Sequence, residues 1–308
     1  MSAKLRAWML VVAMIALCGG ALFAVIFYRS RPLTPAALLK RLPAKDSLVL
    51  AIDFASLRHA GVLRFLDTSK MGREPDYEKF VEETQFNYTQ DLDYAVAAFG
   101  PYGKFILAKG RFDWKALRAY AIQQGGQCYN SLCRMPGSSP DRHISFISVQ
   151  THLMALAVSP EDDAALLMQS SEAPIGAVNL PTPDAAVWMY LPPAILKSPG
   201  QLPEGTVLFA RSVNEARNVT LGFAPEDGHI AARLNVLCKS DQDALVTTAE
   251  LTKVTEVLRS VIAHAGQHAN PADWSGVLSS GTFENKGPRV LGYWPIEQAF
   301  VQNMLGAQ

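Results

Sequence analysis

The sequence predicts an α+β fold rich in antiparallel sheet, preceded by a single transmembrane helix. Three observations lead there. One long apolar run stands alone near the N-terminus. The strand-like segments that follow are joined mostly by tight turns, so hairpins outnumber β-α-β units. Amphipathic stretches with recognisable start residues lie between them. The 308 residues allow two domains of ordinary size. The hydrophobic share of 49% against 18% charged excludes a disordered chain. The net charge of zero gives none of the basic surplus a nucleic-acid binder needs.

Trp8–Tyr28, WMLVVAMIALCGGALFAVIFY, holds no charge, proline or amide. At 1.5 Å per residue it spans about 31 Å, the thickness of a hydrocarbon core. Trp8 and Tyr28 bracket it at headgroup level, with Lys4, Arg6, Arg29 and Arg31 just outside. A cleaved signal peptide has a shorter apolar region of ~7–15 residues and a small-x-small site. Here Leu22 stands three residues back from the boundary after Ala24, and Leu17 before Cys18 spoils a lipoprotein site. The expectation is therefore an uncleaved anchor that holds the lipid bilayer through Trp8–Tyr28. Lys40, Arg41 and Lys45 bias the charge count toward a cytoplasmic C-terminal part, yet long domains translocate largely regardless of charge. The cysteines favour the outside. The expected location is the bacterial inner membrane with the folded part in the periplasm.

The expected layout is a basic tail and anchor at 1–31, a linker at 32–44, a first α+β lobe at 45–170 and a second at 184–308. The linker carries Pro32, Pro35 and Pro43. SLVLAID reads as a buried strand whose Asp53 caps a helix running to Leu66. Pro75–Gln85 is amphipathic, with Tyr77, Phe80, Val81 and Thr84 on one face. Tyr94–Phe99 and Phe105–Lys109 make a hairpin around GPYGK, which lacks the spacing of a phosphate loop. Asp113 caps the next helix, Phe112 and Leu117 form its hydrophobic staple, and Gly125-Gly126 end it. Ile144–Val149 and Leu153–Val158 are strands, and Pro160 opens a short helix.

Seven prolines between Ser170 and Gly205 mark the internal boundary, with a strand at Ala186–Tyr190 inside it. Val207–Ala210, Val219–Phe223 and Ile230–Cys238 read as strands. Ser240 caps the longest soluble helix, with Val254, Val257, Leu258, Val261 and Ile262 as its core stripe. Strands at Val277–Phe283 and Arg289–Trp294 follow, then a helix with Pro295 at its first position. LAIDFASL and WMYLPPAIL look like equivalent starts of two similar lobes.

Four residues separate Cys128 from Cys133, and Asn130-Ser131 can turn the chain. A hairpin there sets the two thiols opposite each other, which predicts a disulfide in an oxidising compartment. Cys238 ends an alternating strand and reads as a buried thiol. His264 and His268 have helical metal-pair spacing, but Gly266 intervenes and no glutamate follows His264, so a solvated helix end is the better reading. Asp141 and His143 can share a strand face but make no dyad. No catalytic residue, metal or cofactor is expected.

CRMPGSSPDRHISF (Cys133–Phe146), with MALAVSPEDDAA (Met154–Ala165) and GRFDWKALRAYA (Gly110–Ala121), resembles a group of uncharacterised bacterial envelope proteins of acidobacterial type. The resemblance covers about residues 40–168 and implies a membrane-anchored envelope protein without carrying any residue's role. Three functions compete: a non-catalytic envelope protein for binding or assembly, a membrane-tethered hydrolase with an unrecognised site, and a membrane sensor. The lack of a nucleophile or metal motif favours the first. Seven residues before Trp8 are too few for a cytoplasmic effector.

Overall fold

The computed structural model describes residues 33–63, 75–171, 182–197, 209–226, 229–264 and 268–306. Its strands are β1 (Leu48–Ile52), β2 (Leu92–Gly100), β3 (Gly103–Gly110), β4 (Gln127–Tyr129), β5 (Leu132–Pro136), β6 (His143–Gln150), β7 (Leu153–Ser159), β8 (Val187–Leu191), β9 (Asn218–Glu226), β10 (His229–Leu237), β11 (Thr282–Lys286) and β12 (Arg289–Ile296). All join one twelve-stranded sheet in the order β11-β12-β10-β9-β8-β1-β2-β3-β7-β6-β5-β4. Every pairing is antiparallel. The helices are α1 (Pro35–Arg41), α2 (Phe54–His59), α3 (Pro75–Thr84), α4 (Tyr88–Asp91), α5 (Trp114–Gln123), α6 (Pro193–Leu196), α7 (Asp241–His264), α8 (Trp274–Ser279) and α9 (Gln298–Gly306), with a 3-10 helix at Ala164–Met168.

Local chemistry sets these elements. The Asp53 carboxylate accepts from the Ser56 amide at 2.8 Å and starts α2. Asp113 accepts from the Lys115 and Ala116 amides and starts α5, with Phe112 and Leu117 in one apolar cluster. Ser240 accepts from the Asp243 amide at 3.1 Å and starts α7. At the β2–β3 turn Gly103 has φ +133°, and a Cβ there would stand 2.7 Å from the Val158 carbonyl oxygen, so a side chain is excluded.

In the first half, the strands inside the β4–β5 edge hairpin bury residues on both faces of the sheet. On one face Val49, Ala51, Val96, Ala98, Phe105 and Leu107 pack beneath α1 and the 3-10 helix. On the other, Ala108, Met154, Phe146 and Cys133 lie beneath α2 and α5. The five strands of the second half bury chiefly one face, and on the other Trp188 of β8 joins the core of the first half. Leu191, Val219, Leu234, Val236, Val290 and Trp294 share the chief face with α6, α7, α8 and α9. The opposite face carries a polar lattice in which Arg233 pairs with Glu226 at 3.0 Å and His229 bonds Tyr293 at 2.9 Å.

The expected fold, a transmembrane helix followed by two lobes, is corrected. Among the described residues no helix is long and apolar enough to cross a membrane. Trp8–Tyr28 lies outside the described residues. The two halves are not separate bodies of sheet, because β1 pairs with β8 at the centre and makes the ladder continuous. Smaller corrections follow the same logic of tertiary packing over local pattern. The helix after Asp53 ends at His59. Residues 209–212 are helical where a strand was expected, and residues 274–279 form α8. Pro295 belongs to β12, which outruns β11 beyond Tyr293 and so loses no ladder partner on that side.

The core stripe of α7 is corrected in part. Val254, Leu258 and Ile262 are half-buried, but Val257 is 48% and Val261 61% exposed, and the fully buried positions are Ala244, Leu251 and Thr255. Threonines can face the core here because their hydroxyls bond back one turn, Thr248 to the Ala244 carbonyl at 2.8 Å and Thr255 to the Leu251 carbonyl at 3.2 Å.

Candidate apolar binding site

A cavity of about 410 Å³ lies inside the second half, between the sheet and its helices. Its sheet wall is Met189 and Leu191 of β8, Val219, Leu221 and Phe223 of β9, Ala232 and Leu234 of β10, and Trp294 and Ile296 of β12. These residues fall on one face because the register sets Leu221 opposite both Met189 and Leu234, and Ala232 opposite both Phe223 and Trp294. The helix wall is Leu196, Phe209, Ala210, Val213, Leu251, Trp274, Val277, Leu278 and Phe300.

No charged side chain stands among these eighteen described lining residues. Their only side-chain polar atoms are the indole nitrogens of Trp274 and Trp294 and the thioether of Met189. Water held in a cavity needs 2–4 polar partners, which this lining does not supply. An empty hole forfeits dispersion contacts all along its wall. Volume and lining match the mostly apolar pockets of about 300–1,000 Å³ that take small ligands.

Aromatic rings brace the walls. Phe283 and Phe209 meet Trp294 edge-on at 5.2 and 6.0 Å, and Trp274 meets Phe300 at 5.0 Å. Trp294 Nε1 is buried without a hydrogen-bond partner, and a Cβ on Gly281 would stand 2.4 Å from it. Glycine at 281 therefore sets how deep the indole sits. Asp273 caps α8 by accepting from the Ser275 amide at 2.7 Å, which fixes Trp274 as its first residue. The Ser275 side chain holds the Asp273 carboxyl below the usual range.

A second depression of about 440 Å³ lies on the opposite face, lined by Asp53 just after β1, Tyr94 of β2, Trp188 of β8 and Arg233 of β10. Of its charges, Asp53 caps α2 and Arg233 pairs with Glu226, while Asp184 is exposed to solvent. The Tyr94 hydroxyl is buried beside the Trp188 side chain, and burial pushes its ionisation up to about 12.

Cys128 and Cys133 form a disulfide. Tyr129 and Leu132 close a two-residue turn in which Asn130 takes φ +52°, so the cysteines face each other across β4 and β5. Cys238 is a free, buried thiol, and burial raises its ionisation. His264 ends α7 with Nδ1 against the Ser260 carbonyl, and His268 is exposed beyond it. Among the described residues no group of three His, Cys, Asp or Glu is placed to hold a metal ion. Asp141 is exposed in a turn while His143 opens β6.

Sequence reasoning singled out none of the cavity residues. They are scattered from Met189 to Phe300, and each alone reads as ordinary core. The available signal was a surplus: Phe209, Trp274 and Phe300 add aromatic bulk to helices that face an already apolar sheet.

No family model and no curated protein sequence matches the chain. The fold is similar to that of TP0453. Its crystal form I aligns with a TM-score of 0.50 at 10% identity, covering 90% of this chain and 99% of that one. Crystal forms III and IV give TM-scores of 0.49 and 0.46 at 9% and 10% identity, covering 90% and 91% of this chain and 99% and 98% of theirs. The likeness to form I is one of fold.

Proposed function

We propose that this chain is a non-catalytic binding protein of the bacterial envelope, which holds an apolar ligand between the second half of its sheet and the covering helices. The observation that carries the reading is the 410 Å³ cavity with no charged side chain in its described lining. Location rests on separate support. The uncharged residues 8–28 offer a means of holding to the inner-membrane bilayer. The Cys128–Cys133 disulfide suits the oxidising periplasm, and the resemblance of residues 40–168 to envelope proteins points the same way.

The test is titration of the full chain, kept in a fluorinated surfactant, with the uncharged fluorophore phenylnaphthylamine. Wild type gives saturable binding of one probe per chain. Ala210→Phe fills the cavity from the helix wall and Ala232→Phe from the sheet wall. Each weakens binding at least tenfold while the circular dichroism spectrum is kept. Absence of saturable binding to wild type, or unchanged affinity in both variants, overturns the proposal.

A further inference from the structure

The cavity has two unlike ends. At one, Leu196, Val219 and Leu251 are buried. At the other, Trp274 lines the cavity and is yet 47% exposed, held there by the capped start of α8 and by its edge-on contact with Phe300. Along β9 the lining runs from Val219 to Phe223, four residues or about 13 Å of strand. The space is thus longer than one side chain, blind at its buried end and open at Trp274. A ligand's polar group finds no partner at the blind end among the described residues, and burying one unpaired is costly.

We infer that the cavity takes a single hydrocarbon tail, methyl end first against Val219 and Leu251, and leaves the ligand's polar end outside at Trp274. This rests on the binding function proposed above and adds the class and orientation of the ligand.

The experiment uses the full chain with straight-chain carboxylates and the matching alcohols, from eight to eighteen carbons. Each added methylene buried tightens binding about fourfold until the blind end is reached, after which affinity levels off. Carboxylate and alcohol of one length bind within a few-fold of each other, because the head stays in water. Val219→Phe shortens the length at which affinity levels off, whereas Trp274→Ala leaves that length unchanged. Val219→Met serves if the phenylalanine variant does not fold. Stearate bearing a nitroxide near its methyl end broadens the methyl resonances of Val219 and Leu251. A nitroxide near the carboxylate broadens the Trp274 indole resonance instead.

The inference is overturned by the reversed broadening pattern, by a levelling-off length that Val219 variants do not move, or by a large preference for one head group. It is also overturned if compact naphthalene binds and no straight chain does. In those cases the apolar-ligand reading stands. Binding of neither naphthalene, phenylnaphthylamine nor any tail sinks both.

Discussion

The two halves of the sheet use the same kind of strand for different ends. In the first, β1, β2, β3 and β7 interleave alanines with Val49, Val96, Phe105 and Leu107, and cover is present on both faces. Small side chains let the 3-10 helix and α1 come close, and Phe105 and Leu107 are almost wholly buried. In the second, bulkier residues on β8, β9, β10 and β12 meet the helices chiefly on one face, and the walls stand apart around the cavity. Apolar surface alone therefore does not fix tight packing. What differs is whether the covering elements can approach. The first half is built as a close-packed support, and the second gives up packing for space.

The largest expected contrast is in core truncation. Phe105→Ala opens a new hole in the close-packed half and costs about 3–5 kcal/mol. Leu234→Ala enlarges a hole that already exists, and removes a side chain that is only half-buried, so it costs about 1–2 kcal/mol. Urea denaturation of both variants measures the difference, and equal costs would break the comparison.

The disulfide comes next. Replacing both Cys128 and Cys133 with serine releases a short loop and costs about 2 kcal/mol by the chain-entropy estimate. Because the hairpin is at the sheet edge of the first half, the loss leaves the affinity of the cavity unchanged. A change in ligand affinity in this double variant would show that the halves are coupled.

Filling the cavity sharpens the contrast from the other side. Ala210→Phe in the second half leaves unliganded stability unchanged or raises it by up to about 1 kcal/mol, since added apolar atoms meet existing wall. Ala98→Phe in the first half overpacks and costs about 1–3 kcal/mol or more. Thermal melts of the two variants read this directly.

The smallest effect concerns Tyr94, near the junction of the halves. Its folded ionisation is raised from 10 to about 12, so the neutral phenol is favoured in the folded state. The unfolded chain ionises first as pH rises. The stability tied to Tyr94 is therefore full below pH 10 and lost between pH 10 and 12. Tyr94→Phe makes that alkaline loss shallower, at a cost of about 1 kcal/mol or less at pH 7 for the contact of the hydroxyl with Trp188. A stability–pH curve parallel to wild type would remove Tyr94 from the account.

Much of the first half was legible. The caps at Asp53 and Asp113, the GPYGK hairpin and the turn between Cys128 and Cys133 are local chemistry, and each is where the sequence put it. The second half was read less well, for a physical reason. Val257 and Val261 look like core and are exposed, while Thr248 and Thr255 hide their hydroxyls in the helix and can face inward. Residues 274–279 are too few, with Gly276 among them, for a helical period to show. The single sheet was invisible because nothing local says that β1 and β8 pair. The cavity was invisible because it depends on the distance between walls, which no stretch of sequence encodes.

The most direct measurement is hydrogen exchange of the full chain with and without stearate. At a free ligand concentration about ten times Kd, amides of β9, β10 and β12 that open only with the cavity slow by about tenfold. Those of β2, β3 and β7 that open by local motion stay as they were. Slowing confined to β2, β3 and β7, or no slowing anywhere at saturating stearate, would contradict the account.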